Sequence, residues 1–138
     1  MDSFEMIMQK ALEDNTHMRN NHIEMVSVER DHAIFKMEIN IDNMNPFGMV
    51  HGGALYTLAD NATGAAAISI GQPYVTQEGS LHFVDNQTSG IVKAEARVRH
   101  RGRKTCLIEV DITGENGKLI AMGTFTYYRV EINSDVKN

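Results

Sequence analysis

The 138-residue chain is poor in several things, and each shortage excludes something. It has one cysteine, Cys106, so no disulfide can close within the chain, and a reducing compartment is expected. No run approaches the roughly eighteen apolar residues of a membrane-spanning helix. The opening MDSFEMIMQK has no basic start followed by an apolar stretch, so neither a secretion signal nor a membrane partner is expected, and the cytoplasm is the predicted location. Basic charge is also scarce: 13 Lys and Arg stand against 18 Asp and Glu, a net charge of −5. That balance argues against a general nucleic-acid binder, while permitting a local basic patch for a small anion. No HxxxH-type spacing or Cys/His cluster offers a metal site, so neither metal nor cofactor is expected. Repeats, linkers and low-complexity stretches are absent, which predicts a single domain over residues 1–138.

What the chain does have is concentrated in NPFGMVHGGALYTLADNATGAAAISI, residues 45–70. Asn45, Pro46, Gly48, Gly52 and Gly53 are turn chemistry. From residue 53 to 70 the small and apolar residues Ala54, Leu55, Leu58, Ala59, Ala62, Ala65 and Ala66 recur at intervals of three and four. This predicts a helix about 27 Å long at 1.5 Å per residue. Its Ala and Gly side chains let a backbone lie close to a neighbour, as under a curved sheet.

Around it the pattern is simple. Residues 3–15 predict a short helix, with Phe4, Ile7, Met8, Ala11 and Leu12 on one side, broken by the polar stretch 15–21. Period-two alternation over 23–28 and 33–39 predicts a hairpin across the charged turn 29–32. Pro73 enforces the exit from the central helix. Strands are then expected over 74–84, 91–99, 105–112 and 118–130, with a polar tail from 133. One helix and several consecutive strands give an α+β fold in which a twisted antiparallel sheet covers the helix. Such a sheet leaves edges, and a second copy of the chain is the expected cover, making at least a dimer.

Three features in and before the helix can do chemistry. Asp60 has Tyr56, Thr57, Thr63 and Gly64 one turn away, not a charged solvent face. It reads as a general base or nucleophile, as a surface carboxylate, or as one bonded into the structure. His51-Gly52-Gly53 stands at the helix start, where backbone N–H groups lack intrahelical acceptors and can hold a carbonyl oxygen or oxyanion. The competing reading is that both glycines merely permit a sharp turn. Gly52 and Asp60 are eight residues apart, about 12 Å along a helix axis, too far to grip one carbonyl from the same helix. Two copies related by a twofold axis can set the helix start of one against the mid-helix of the other.

The Asn-x-x-Gly-x-x-His-Gly-Gly run at Asn45, Gly48 and His51 to Gly53, followed by Leu58-Ala59-Asp60, closely resembles the PaaI-like branch of the hotdog-fold acyl-CoA thioesterases. The similarity continues through Val75-Thr76, Leu81, Phe83, Gly102-Arg103 and Gly117, and spans residues 23–130. The resemblance implies a hotdog fold, a long helix wrapped by a curved antiparallel sheet. It implies hydrolysis of an acyl- or aryl-CoA thioester without a cofactor, at sites across the interface of a homodimer or dimer of dimers. It places the Gly52 N–H on the thioester carbonyl, Asp60 of the other subunit as base or nucleophile, Asn45 and His51 as loop organisers near the water, and Thr76 beside the aspartate. One departure is that relatives commonly have a proline after the strand holding the equivalent of Phe83, where this chain reads Val84-Asp85-Asn86.

With that activity in view, the basic stretch from Arg97 through Arg99 to Arg101, Gly102, Arg103 and Lys104 reads either as a solvated hairpin tip or as a contact for coenzyme A phosphates. Aromatic interleaving of the kind that stacks bases is absent from it. Cys106, Tyr56, Phe125, Tyr127 and Tyr128 read as packing or interface residues, the aromatics with an acyl-channel wall as the alternative. Two other functions remain open: a hotdog hydratase or dehydratase, for which Asp42, Asn45, Pro46 and His51 faintly match an Asp/His dyad, and an acyl-CoA-binding module without turnover.

Overall fold

The computed structural model describes Met6 and residues 15–131, so the helix expected over 3–15 lies largely outside the described residues. The expected break after it is instead a short helix, α1 (Thr16–Asn20). Asn15 caps it by accepting the Met18 N–H at 2.9 Å, and Met18 is buried in the core. A cap and one anchored side chain outweigh the polar composition that argued for a turn.

Six strands follow the expected order: β1 (Ile23–Glu29), β2 (His32–Glu38), β3 (Tyr74–Phe83), β4 (Ile91–Arg101), β5 (Thr105–Thr113) and β6 (Leu119–Arg129). They form one antiparallel sheet in the order β1-β2-β4-β5-β6-β3. The long helix α2 (Gly52–Ile68) lies between β2 and β3 in sequence and against the inner face in space. It carries Ala54, Leu55, Leu58, Ala59, Ala62, Ala65 and Ala66 into the core, together with Thr63. The fully buried Leu58 alone is worth about 1.5–3 kcal/mol relative to exposure, while the alanines let the helix lie close to the strands. The helix begins one residue earlier than expected, because His51 is its cap, and ends earlier, where Ser69 and Gly71 (φ 85°) close it.

The inner face is built as cross-strand rows. Phe35, Ala94, Ile112 and Ala121 form one; Val98, Ile108, Phe125 and Gly79 form another. The last row runs Arg101, Cys106, Tyr127, Thr76. Strict alternation would put both of its ends outside, and a β-bulge reverses each. On β4 the register slips between Val98 and His100, so Arg101 falls opposite the buried Cys106. On β3 it slips between Thr76 and Glu78, so Thr76 and Gly79 face the inward pair Tyr127 and Phe125, two residues apart. One extra residue in each strand thus turns a polar side chain toward α2.

Strand β3 is an edge, with Val75 50% and Phe83 52% exposed. Among the described residues no helix is long and apolar enough to cross a membrane.

Candidate active site

Asp60 sits half-buried at the middle of α2, above the polar row. Its Oδ1 accepts two hydroxyl hydrogen bonds, from Thr76 Oγ1 at 2.8 Å and from Tyr127 Oη at 2.5 Å. The Tyr127 hydroxyl also reaches the Asp60 carbonyl oxygen at 2.6 Å and lies 2.9 Å from Thr63 Oγ1. Burial, followed by the Asp60 carboxylate, pushes the Tyr127 phenol well above its usual range, so it remains a donor. Among the described residues Asp60 Oδ2 has no hydrogen-bond or ion-pair partner, and a cleft of about 340 Å³ opens beside it. Asn61, Gly64, Ala65 and Ile68 of α2, with Asn15 and with Tyr74 and Val75 of β3, line the rest of that cleft.

Tyr127 carries more of this arrangement than the sequence indicated. A tyrosine in an alternating strand reads as packing, and only the register against Thr76 shows that its hydroxyl ends at the aspartate.

At the helix start, His51 Nδ1 accepts the Gly53 N–H at 2.8 Å. The Ala54 and Leu55 N–H groups both turn to the His51 carbonyl. The Gly52 N–H is left with no acceptor among the described residues. Neither Gly52 nor Gly53 has a positive φ; the left-handed turn is made by Gly48 (φ 79°). A Cβ on Gly52 would meet only the Phe83 ring, at 3.6 Å, an ordinary contact. The sharp-turn reading therefore does not account for Gly52.

Asn45 organises the loop before the helix, its Oδ1 accepting the Phe47 N–H at 2.9 Å and the Met49 N–H at 3.1 Å. His51 is tied to the same loop through its own N–H, which donates to the Asn43 carbonyl at 2.8 Å.

Arg101 is a correction to the proposed phosphate contact. Because of the β4 bulge its side chain turns inward and is only 15% exposed. Its Nη2 meets Asp31 Oδ1 at 2.8 Å and the Ala66 carbonyl at 3.2 Å, and its Nη1 donates to the Ala67 carbonyl at 3.0 Å. It closes the C-terminus of α2. Gly102 makes the tight turn, its N–H donating to the Thr105 carbonyl at 2.8 Å. Arg103 and Lys104 are exposed and form no ion pair among the described residues. Cys106 is buried between Arg101 and Tyr127, and burial pushes its thiol up, the opposite of an activated nucleophile. Among the described residues no group of three or more His, Cys, Asp or Glu could hold a metal ion.

A helix wrapped by a six-stranded antiparallel sheet, with a carboxylate at its middle and an open amide at its start, defines the hotdog architecture. Residues 47–121 match the family model described as Thioesterase superfamily. The 1,4-dihydroxy-2-naphthoyl-CoA hydrolase of Listeria monocytogenes is 32% identical over 108 residues, 75% of this chain and 87% of its own. The acyl-coenzyme A thioesterase PaaI of Escherichia coli is 29% identical over 101 residues, 72% of each chain. The solved structure of E. coli PaaI superposes with a TM-score of 0.87 over 94% of both chains at 24% identity. A hypothetical thioesterase of Streptococcus pneumoniae, solved with coenzyme A, gives a TM-score of 0.76 at 28% identity, over 81% of this chain and 91% of its own. The chain belongs to the thioesterase superfamily, as a thioester hydrolase of the PaaI-like hotdog branch.

Proposed function

We propose that the protein hydrolyses an acyl- or aryl-CoA thioester to the free carboxylate and coenzyme A, at two sites formed across a twofold dimer. The Gly52 N–H of one subunit donates a hydrogen bond to the thioester carbonyl oxygen as negative charge develops on it. Asp60 of the other subunit either takes a proton from the attacking water or attacks the carbonyl carbon itself. In the first route the C–S bond of the tetrahedral adduct breaks and the coenzyme A sulfur takes up the proton that Asp60 received from water. In the second, C–S cleavage leaves a mixed anhydride on Asp60. Water hydrolyses that anhydride to the carboxylate and the restored aspartate, with the water proton passing to the thiolate. The observation that carries this reading is the pairing of an amide at the helix start with a carboxylate oxygen at mid-helix, both unbonded among the described residues. Their separation of about 12 Å along one helix supports a partner helix completing each site. The exposed apolar edge of β3, next to the Asp60 cleft, supports the same assembly. Arg103 and Lys104 remain as the cationic contact for the coenzyme A phosphates, without Arg101.

A hydratase built on Asp42 and His51 loses support, because Asp42 Oδ2 meets His22 Nε2 at 2.9 Å while His51 caps α2. The deciding measurement is free-thiol release from short aliphatic, long aliphatic and aryl-CoA substrates. Release by the wild type and its loss in Asp60→Asn are expected. Tight binding with no release at any chain length would leave a binding module, and a fully active monomer would remove the shared site.

A further inference from the structure

The two oxygens of Asp60 are not equivalent. Oδ1 receives both hydroxyls, while among the described residues Oδ2 meets no donor, and it borders the cleft. We propose that Tyr127 is the positioning residue of this site: with Thr76 it holds Oδ1, fixes the carboxylate plane, and presents Oδ2 as the atom that meets water or the thioester carbon.

This rests on the reading of Asp60 as the catalytic carboxylate and adds to it which oxygen acts and what aims it. Three observations converge. Tyr127 is buried and anchored in the sheet opposite Cys106 and Thr76, so its hydroxyl cannot follow a wandering carboxylate. That hydroxyl touches both the side chain and the backbone oxygen of Asp60, which ties the χ1 rotation of the aspartate to its place on the helix. Gly64 leaves the space the phenol occupies, since a Cβ there would stand 3.2 Å from Tyr127 Oη.

No Lys, Arg or His lines the cleft among the described residues, so these two hydroxyls are what orients the carboxylate.

The test uses the full-length chain with an acyl-CoA substrate that the wild type turns over. Tyr127→Phe keeps the ring and removes the hydroxyl. It is expected to lower kcat about tenfold with little change in KM. Site-specific 4-aminophenylalanine at position 127 replaces the hydroxyl by a weaker donor and is expected to give an intermediate kcat at unchanged KM. The second variant decides the matter if the first fails to fold. A kcat equal to that of the wild type in both overturns the proposal, and so does a loss that appears in KM alone. Asp60→Asn separates the two levels. If it is inactive while Tyr127→Phe matches the wild type, only the positioning role fails; if Asp60→Asn is fully active, both readings fail together.

Discussion

Helix α2 meets two polar clusters along one row of the sheet, and they are finished differently. At its C-terminus, Arg101 is matched by the Asp31 carboxylate and by the carbonyls of Ala66 and Ala67, and its guanidinium also stacks over the Tyr74 ring at 5.4 Å. Charge and hydrogen-bonding capacity both close there. At mid-helix, Asp60 has two neutral donors on one oxygen and, among the described residues, none on the other and no opposite charge. Both clusters are delivered by a β-bulge, so the device that places them does not distinguish them. What separates structure from chemistry here is the valence left over. A polar group that the fold has completed stabilises the fold, and one left incomplete beside a cleft is available to a substrate.

The comparison breaks most decisively at Asp60. Asp60→Asn is expected to cost about 10³-fold in kcat, with thermal stability unchanged or raised, because the fold does not depend on its charge. Equal losses of stability and activity would put Asp60 with Arg101. Arg101→Met is expected to show the reverse, a loss of about 2–3 kcal/mol in urea unfolding, moderated by the partial exposure of Asp31, with kcat of the folded fraction within about twofold. Gly52→Ala sharpens the contrast at the helix start. The fold has room for the methyl, so stability should hold or rise by a few tenths of a kcal/mol, while thioester hydrolysis falls about tenfold as the substrate oxygen is kept from the amide.

The smallest effect belongs to a third cluster, where Glu95 meets His32 Nε2 at 2.7 Å and Arg97 Nη2 at 2.8 Å. The His32 hydrogen bond, with Arg97 assisting, holds the Glu95 carboxyl below its usual range against a smaller opposing effect of burial. Its folded-state pKa is depressed, so the stabilisation is present above the ordinary glutamate range and is lost as pH falls through the folded value. Glu95→Gln should therefore destabilise only slightly at neutral pH, by about 0.5 kcal/mol for so exposed a group, and the difference should vanish in acid. Urea titrations at the two pH values measure it.

Much of this was legible in the residues themselves. The spacing of Ala54, Leu58, Ala62 and Ala65 located α2, and the alternation in residues 33–39 and 105–112 located strands, because burial on one face imposes a period. Gly52 and Asp60 stood out because glycine at a helix start and a carboxylate on an otherwise small-residue helix have few purely structural reasons to be there. The inward turn of Arg101 and the donation from Tyr127 were not legible. A bulge adds one residue without changing composition, so Arg101 reads with Arg103 and Lys104 as part of an exposed turn when its side chain has turned inward. The hydroxyl of Tyr127 acts through a partner 67 residues away in sequence, and no local period records that contact. The helix at residues 16–20 was missed for a related reason: its cap and its one buried side chain matter more than its average polarity.

The bulge in β3 has a consequence for how the gene tolerates change. The slip leaves Gln77 without a partner on β6, while Thr76 stays opposite Tyr127 and Glu78 opposite Thr126. Substitutions at that codon leave the pairing intact, and losing the codon gives an unbroken ladder in which Thr76 still faces Tyr127. A site of this kind carries its slack in one unpaired residue. Its lineage can vary that position, or drop it, more freely than the paired residues on either side.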